Sequence, residues 1–190
     1  MITILGAIEL LKNGGVGIFP TDTAFAIGCR VDDEQAVERL FAIKQRSSKQ
    51  AVPILVENIR MAEKYGKINE KVQNILNAFW PGALTVIVPK KESKISSLVL
   101  GMTNAVGLRQ PNHEVCLQLI RDVGVPLIGT SANFHGQPTP YKTEDVDKEL
   151  AKAVDFVLPG ICQIGRASTI VDTTQEPWKI LRQGSIHLDL

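Results

Sequence analysis

The chain of 190 residues is long enough to form one globular domain with a sizeable core. Its 44% hydrophobic and 22% charged residues are ordinary for a folded protein, and its formal net charge of +1 excludes a strong overall attraction to nucleic acids or membranes. The apolar stretches are strand-sized, well below the ~20 residues that a membrane span needs. Anion binding must therefore depend on where individual lysines and arginines are placed.

The N-terminal segment MITILGAIELLKNGG has no basic stretch ahead of its apolar residues, and Glu9 interrupts them. It predicts a short helix closed by Gly14 rather than a signal peptide. The cysteines Cys29, Cys116 and Cys162 are widely separated, which excludes a C-x-x-C redox or zinc motif. We expect buried packing thiols and a cytoplasmic protein.

The next segment, GIFPTDTAFAIG, places two apolar runs around Pro20-Thr21-Asp22-Thr23, which is not a usual hairpin turn. An amphipathic pattern then predicts a helix over residues 33–45, capped by Asp32 or Asp33. The remaining predicted elements are, in chain order, a strand at 52–56, a helix around 72–79, strands at 83–89 and 105–111, a helix at 113–123, a strand at 126–129, a helix from Thr143 as cap to about 153, and strands at 168–173 and 178–184.

Directly joined strands alternate with strands joined through helices, which predicts an α/β fold with a mixed sheet. No internal repeat, low-complexity tract or linker divides the chain, so residues 1–190 are predicted to form a single domain. The chain has no G-x-x-x-x-G-K-[ST], G-x-G-x-x-G or H-E-x-x-H motif, and Ser131 does not lie in a hydrolase G-x-S-x-G turn. For His113, His135 and His187, solvated or incidental roles are favoured over catalysis.

Polar residues follow several predicted strands, the position where α/β proteins bind ligands. Each has an ordinary structural explanation: cations at a helix C-terminus, a surface arginine, a serine/threonine turn, or an ion pair. Together, guanidinium, ammonium and hydroxyl groups indicate a nucleotide-phosphate site without a Walker loop. The set comprises Lys44, Arg46, Lys49, Arg109, Thr130, Ser131, Asn133, Ser168, Thr169 and Arg182.

Seven segments occur in the order FPTDTAFAIGC, LFAIKQRSSKQAVPILV, WPGALTVIVP, VGLRQPNH, VPLIGTSANFHGQPTP, STIVD and ILRQGSI. In these segments the chain resembles the YrdC-like threonylcarbamoyl-AMP synthase family in its single-domain form. The resemblance implies a twisted, mixed and largely antiparallel sheet flanked by helices around a large concave cavity. The family signature K-x-R plus S-x-N is met by Lys44, Arg46, Ser131 and Asn133.

The resemblance also implies a reaction in which L-threonine, bicarbonate and ATP form threonylcarbamoyl-adenylate and pyrophosphate, with Mg²⁺ as cofactor. The product serves threonylcarbamoylation of adenosine 37 in tRNA, completed by separate transferase proteins. Carried over by position, Lys44 and Arg46 are implied in catalysis. The threonine contacts implied are Thr23, Arg109, Gly129 and Ser168, and the ATP contacts are Arg46, Lys49 or Gln50, Ser131, Asn133, Thr139 and Arg182. No residue is implied as a metal ligand.

Three positions depart from the family pattern. Gln50-Ala51 replace a Lys or Asn followed by Pro, His135 replaces a usual serine, and residues 158–160 (LPG) replace an Asp-Gly-Gly-like segment. These departures keep a catalytically weak paralogue open as an alternative. A second alternative is an RNA-binding or ribosome-associated module that uses the same cations to bind tRNA or structured RNA, although aromatic residues make up only 5% of the chain.

Overall fold

A computed structural model describes residues 2–134 and 136–189, which form ten β-strands, seven α-helices and one 3₁₀ helix. The strands are β1 Gly17–Pro20, β2 Phe25–Gly28, β3 Ile54–Leu55, β4 Leu84–Pro89, β5 Ala105–Arg109, β6 Leu127–Ile128, β7 Thr130–Ser131, β8 Phe156–Val157, β9 Thr169–Asp172 and β10 Lys179–Arg182. The helices are α1 Ile4–Lys12, α2 Glu34–Ile43, α3 Ile59–Ala62, α4 Glu70–Phe79, α5 Ser97–Leu100, α6 Glu114–Val123 and α7 Lys148–Ala153, and the 3₁₀ helix is Thr143–Asp145.

Local capping explains where the helices begin and end. Asp33 accepts a hydrogen bond from the backbone N–H of Ala36 and starts α2, as predicted. The predicted cap at Thr143 is wrong: Thr143 opens the 3₁₀ helix, and its hydroxyl bonds the backbone of Gly160 instead. The cap of α7 is Asp147, whose carboxylate accepts two backbone N–H groups of the first turn.

The strands lie in two mixed sheets within the described residues. Sheet A has the order β7-β2-β1-β8, and sheet B has the order β10-β9-β4-β5-β3-β6. Parallel pairs such as β4–β9 and β3–β5 occur beside antiparallel pairs such as β4–β5 and β1–β2. The mixed α/β fold is therefore confirmed, with two sheets where the sequence indicated one.

The two sheets are joined through the segment at 126–131. Strand β6 pairs with β3 in sheet B, and β7, one residue later, pairs with β2 in sheet A. Gly129 lies at this crossing, where an added Cβ would overlap the side chain of Leu55. Backbone bonds from Ile128 N–H to Cys29 O and from Val31 N–H to Pro126 O continue the connection. The position of one sheet relative to the other thus depends on a few residues around a glycine.

Apolar side chains from both sheets and the helices form the core, which includes Phe25 and Ile27 after the unusual turn. All three cysteines are free and buried, as predicted. Burial raises the pKa of the Cys162 thiol to about 11, so this sulfur stays protonated at neutral pH. None of the helices in the described residues is long and apolar enough to cross a membrane.

Gly28 should be essential for the join between the sheets. An added Cβ would overlap the carbonyl oxygen of Ile128, a backbone atom that cannot move aside alone. Gly28→Ala is expected to lower the free energy of unfolding by about 3 kcal/mol and the Tm by about 6–12 °C. Gly6→Ala in α1 is the control, with a Tm within about 3 °C of the original protein. Equal Tm values for the two variants in thermal unfolding would contradict this account.

Candidate active site

A cavity of about 240 Å³ lies against residues of both sheets. Sheet A contributes the chain around Thr23 and β7, while sheet B contributes the ends of β5 and β10 and the start of β9. Its polar lining consists of hydroxyls, backbone and guanidinium groups, and no carboxylate is among the described lining residues. Such a cavity favours anionic ligands. Its polar side chains are those of Thr21, Thr23, Arg46, Thr85, Arg109, Thr130, Ser131, Thr139, Ser168 and Arg182.

Arg109 is held rigidly at the end of β5. Its Nη1 donates to the Thr23 hydroxyl at 2.7 Å, its Nη2 to Asp22 Oδ1 at 2.5 Å, and its Nε to Gly82 O at 3.1 Å. The Arg109 and Asp22 side chains are 8% and 3% exposed. The turn that looked unusual in the sequence therefore places a carboxylate and a hydroxyl on a buried arginine. The remaining N–H groups of Arg109 are available to a ligand.

Arg46 reaches the cavity because α2 ends in a left-handed residue. Gln45 has a φ of 50°, and the Arg46 N–H bonds back to Phe41 O, which turns the chain out of the helix. The Arg46 guanidinium then donates to the carbonyls of Gln50 and Ala51 at 3.1 and 2.9 Å. Burial lowers the pKa of Arg46, which nevertheless remains protonated at neutral pH. The Arg46 side chain therefore stabilises the loop after α2 through these two hydrogen bonds and also lines the cavity.

Arg182 at the end of β10 is supported by Ser168. Its Nε donates to Ser168 O at 2.9 Å and its Nη2 to Ser168 Oγ at 3.0 Å. The Ser168 hydroxyl also lies 3.0 Å from Thr85 Oγ1, which is buried in β4. Burial, and then the charge of Arg109, lowers the pKa of Arg182. Two guanidinium groups that repel one another across a cavity are stabilised when an anion binds between them.

Lys44, unlike the three arginines, does not line the 240 Å³ cavity and instead binds backbone carbonyls. Its ammonium donates to the carbonyl oxygens of Ser131 and Asn133, both at 2.5 Å, and its side chain is buried. Burial, and then the Arg46 charge, lowers the pKa of Lys44 to about 8. The Ser131 hydroxyl donates to Asn133 Oδ1 at 2.6 Å, and the Asn133 amide donates to Gln137 O. Lys44 therefore ties the end of α2 to the loop after β7.

The structure brings most of the sequence-predicted site residues together. Nine of them line the 240 Å³ cavity: Thr23, Arg46, Arg109, Gly129, Thr130, Ser131, Thr139, Ser168 and Arg182. Thr169 is outside the described lining, because its side chain is buried and its hydroxyl donates to Ile186 O. Lys44 and Asn133 line an adjoining recess of about 90 Å³ with Arg46 and Ser131. Lys49 and Gln50 line neither, and the Gln50 position contributes a backbone carbonyl to Arg46. Their ligand contacts stay predictions.

Of the described departures from the family pattern, Ala51 lines the cavity, whereas residues 158–160 lie away from the described lining. Leu158 donates its N–H to Ile18 O and is buried, and Gly160 approaches Pro20. The substitution at His135 falls outside the described residues. The turn at Thr21, Asp22 and Thr23 was expected to line a cavity wall; Thr21 and Thr23 do, whereas Asp22 pairs with Arg109 outside the described lining. Sequence reasoning missed this pairing because the two residues are 87 positions apart, and it missed Thr85 because that residue lies in an apolar strand pattern.

Mg²⁺ is the cofactor that the resemblance implies, and the side chains that line the cavity can be compared with the ligands that Mg²⁺ prefers. The described residues contain no group of three or more His, Cys, Asp or Glu arranged to hold a metal ion. Thr23, Ser131 and Ser168 offer neutral hydroxyl oxygens only. Because Mg²⁺ is commonly held by substrate phosphates and water, this set fits an ion carried in by ATP better than a resident metal site.

Comparisons with known proteins define the class. The family model Sua5_yciO_yrdC, described as telomere recombination, matches residues 9–184. The fold is similar to that of Pyrococcus abyssi Sua5 complexed with L-threonine (TM-score 0.91, 31% identity, 97% of this chain and 55% of that one) and to E. coli YciO (TM-score 0.86, 24% identity, 95% and 88%). The chain belongs to the Sua5/YciO/YrdC family, which confirms the resemblance noted in the sequence.

Two relatives show how far the similarity extends. The chain is 34% identical over 188 residues to the threonylcarbamoyl-AMP synthase of Bacillus subtilis (strain 168), covering 96% of this chain and 54% of that protein. It is 34% identical over 182 residues to the threonylcarbamoyl-AMP synthase of Vibrio vulnificus (strain YJ016), covering 93% and 96%. The chain spans about half the length of the Bacillus subtilis and Pyrococcus abyssi relatives.

Proposed function

We propose that this protein is an L-threonylcarbamoyladenylate synthase, a nucleotidyltransferase that converts L-threonine, bicarbonate and ATP into threonylcarbamoyl-AMP and pyrophosphate. The observation that carries the proposal is the joint placement of Arg46, Arg109 and Arg182 around one cavity with the Thr23 and Ser168 hydroxyls. Relatives of nearly the same length, such as the Vibrio vulnificus protein, are named threonylcarbamoyl-AMP synthase. A homologue with a TM-score of 0.91 has been crystallised with L-threonine.

The proposed substrate positions follow from charge and hydrogen bonding. A carboxylate suits Arg109 and the Thr23 hydroxyl, since Arg109 is already fixed and keeps free donors. The triphosphate carries several negative charges and suits Arg46 and Arg182, whose partners on the protein are neutral. Threonine would thus lie beside Asp22-Thr23, with ATP extending toward the loops after α2 and β7.

In the proposed reaction, the threonine amine attacks the carbon of bicarbonate, a C–N bond forms and water leaves, which gives a carbamate. A carbamate oxygen then attacks the α-phosphorus of ATP, and the bond from that phosphorus to the pyrophosphate oxygen breaks. Mg²⁺ would enter with ATP and supply positive charge at the phosphates, while Arg46 and Arg182 would hold the phosphates on the protein side. The protein needs no covalent nucleophile, because positioning and electrostatic stabilisation act on both steps.

Pyrophosphate release from purified protein with threonine, bicarbonate and Mg-ATP tests the proposal. Release should require both threonine and bicarbonate, and mass spectrometry should detect threonylcarbamoyl-AMP. Pyrophosphate that forms without threonine, or none under any condition, would contradict the synthase function. A trace rate, far below the typical kcat range of about 1–10³ s⁻¹, would favour the weak paralogue instead.

The hydroxyl of Thr85 should matter although it was not among the predicted contacts. Thr85→Val keeps the side-chain shape but removes the hydrogen bond to Ser168. The expected result is a drop in kcat/KM for threonine of about 3- to 10-fold, the net value of one buried hydrogen bond. Thr85→Ser retains the hydroxyl and is the control. Equal rates for the valine and serine variants would exclude a role for this hydrogen bond.

Proposed partners are tRNA or structured RNA and the transferase proteins that would consume the adenylate, and the proposed location is the cytoplasm. The charge of Arg46, which lines both the cavity and the adjoining recess, supports an RNA contact there, with the buried Lys44 behind it. A filter-binding titration of tRNA at several salt concentrations tests it. Binding that Lys44→Ala and Arg46→Ala leave unchanged would place any RNA surface elsewhere.

A further inference from the structure

Asp22 is a buried carboxylate that directly contacts one cavity residue but lies outside the lining itself. The residue is 2% exposed, and its Oδ1 accepts a hydrogen bond from Arg109. Its Oδ2 is buried with no hydrogen-bond partner among the described residues, and its backbone carbonyl accepts the N–H of Ile164. A carboxylate in such surroundings is costly to bury unless its interaction with the arginine offsets the loss of hydration.

The three guanidinium groups that line the cavity differ in their partners. Arg46 donates to two backbone carbonyls, and Arg182 donates to the carbonyl and hydroxyl of Ser168. In the part of the chain that is described, Arg109 alone of the three is paired with a carboxylate. Its charge is therefore largely compensated before any ligand binds, whereas the other two offer a full positive charge to an anion.

We propose that Asp22 is a positioning residue that makes the Arg109 position selective for an amino-acid carboxylate over a phosphate group. It acts in two ways. It holds the guanidinium so that the remaining N–H groups point in one direction, and it reduces the net charge there to a level suited to one carboxylate. A doubly charged phosphate is disfavoured at a guanidinium whose charge Asp22 already compensates. This proposal rests on the proposed function, because it assigns threonine to Arg109.

The test compares Asp22→Asn, Arg109→Gln and the double variant, with folding checked by circular dichroism. Asp22→Asn should lower kcat/KM for threonine by about 10-fold, while the KM for ATP stays within about 2-fold. Inorganic phosphate should compete with threonine more strongly in Asp22→Asn than in the original protein. Because Asp22 acts through Arg109, adding Asp22→Asn to Arg109→Gln should leave kcat/KM unchanged. Asp155→Asn, which breaks the exposed pair with Arg39, is the matched control.

A KM for ATP that rises as much as the KM for threonine would overturn the proposal, as would equal phosphate competition in both proteins. If Asp22→Asn leaves an unpaired buried arginine and does not fold, the double variant, which carries neither charge, can still be compared with Arg109→Gln. A difference in kcat/KM between those two overturns the proposal. Calorimetric titration of L-threonine without ATP keeps the test separate from the synthase assay: amino-acid binding that depends on Asp22 supports the proposal even where pyrophosphate is never released.

Discussion

Replacing Arg46 with alanine lowers kcat/KM for pyrophosphate release by about 10²-fold or more, the largest loss that we expect from one substitution. The side chain lines both the main cavity and the adjoining recess, and its protein partners are two neutral carbonyls. In the proposed reaction its charge is therefore free to act on the ATP phosphates, where negative charge would move onto pyrophosphate. Steady-state kinetics with saturating threonine and varied ATP measure the effect.

Arg39→Ala is the control for this variant. Arg39 lies on the same helix, α2, but its guanidinium pairs with Asp155 at the exposed surface. We expect the control to retain kcat/KM within about 2-fold, because an exposed ion pair contributes about 0–1 kcal/mol to stability and lies outside the cavity. If Arg46→Ala is folded and its kcat/KM equals that of Arg39→Ala, Arg46 has no role in the reaction.

Replacing Lys44 with methionine should give the second large effect, a fall in kcat/KM of about 10- to 10²-fold with ATP and threonine affected together. Methionine matches the length of the lysine stem and tolerates the buried position, but it cannot donate to the carbonyls of Ser131 and Asn133. The loop after β7 would lose its tie to α2, and catalytic geometry tolerates little displacement. Lys12→Met in the last turn of α1 is an exposed control.

The difference in free energy of unfolding between the original protein and Lys44→Met should also change with pH in a predictable direction. The folded protein keeps the Lys44 proton only to about pH 8, whereas the unfolded chain keeps it to about 10.5. Between these values the unfolded state binds more protons, so the Lys44 contribution to the free energy of unfolding rises with pH. Urea unfolding at pH 7.5, 8.5 and 9.5 should show the original protein gaining stability relative to Lys44→Met. A difference that is constant or shrinks with pH would contradict the lowered pKa.

Local patterns predicted much of this fold. The helices α4 and α6 appear where the apolar spacing indicated, because a 3.6-residue period reflects one buried face and needs no distant information. The cap of α7 was predicted wrongly because Thr143 and Asp147 both satisfy the local rule, and the pairing of Thr143 with Gly160 decides between them. Tertiary contact overrides a local preference in such cases.

The candidate site was predictable in its residue types but not in its connections. The arginines and hydroxyls at strand ends and the cations after α2 could be read from the sequence, and nine of the predicted residues do surround one cavity. Asp22 accepts a hydrogen bond from Arg109, and Lys44 donates one to the Ser131 carbonyl. In each pair the two residues are 87 positions apart. The first pairing depends on how the two sheets meet and the second on where the end of α2 meets β7, which no local pattern in a single sequence encodes.

The crossing at Gly129 limits how this chain can change in length. Adding or removing one residue between β6 and β7 would shift β7 by one position against β2, and a shift of one residue turns every side chain of a strand to its opposite face. The Ser131 hydroxyl would exchange places with its neighbour, and the two carbonyls that receive the Lys44 ammonium would move away. Insertions that surface loops accept readily should therefore be rejected here even when every side chain of the site is kept, because chain length between the sheets sets the alignment of the proposed amino-acid and nucleotide positions.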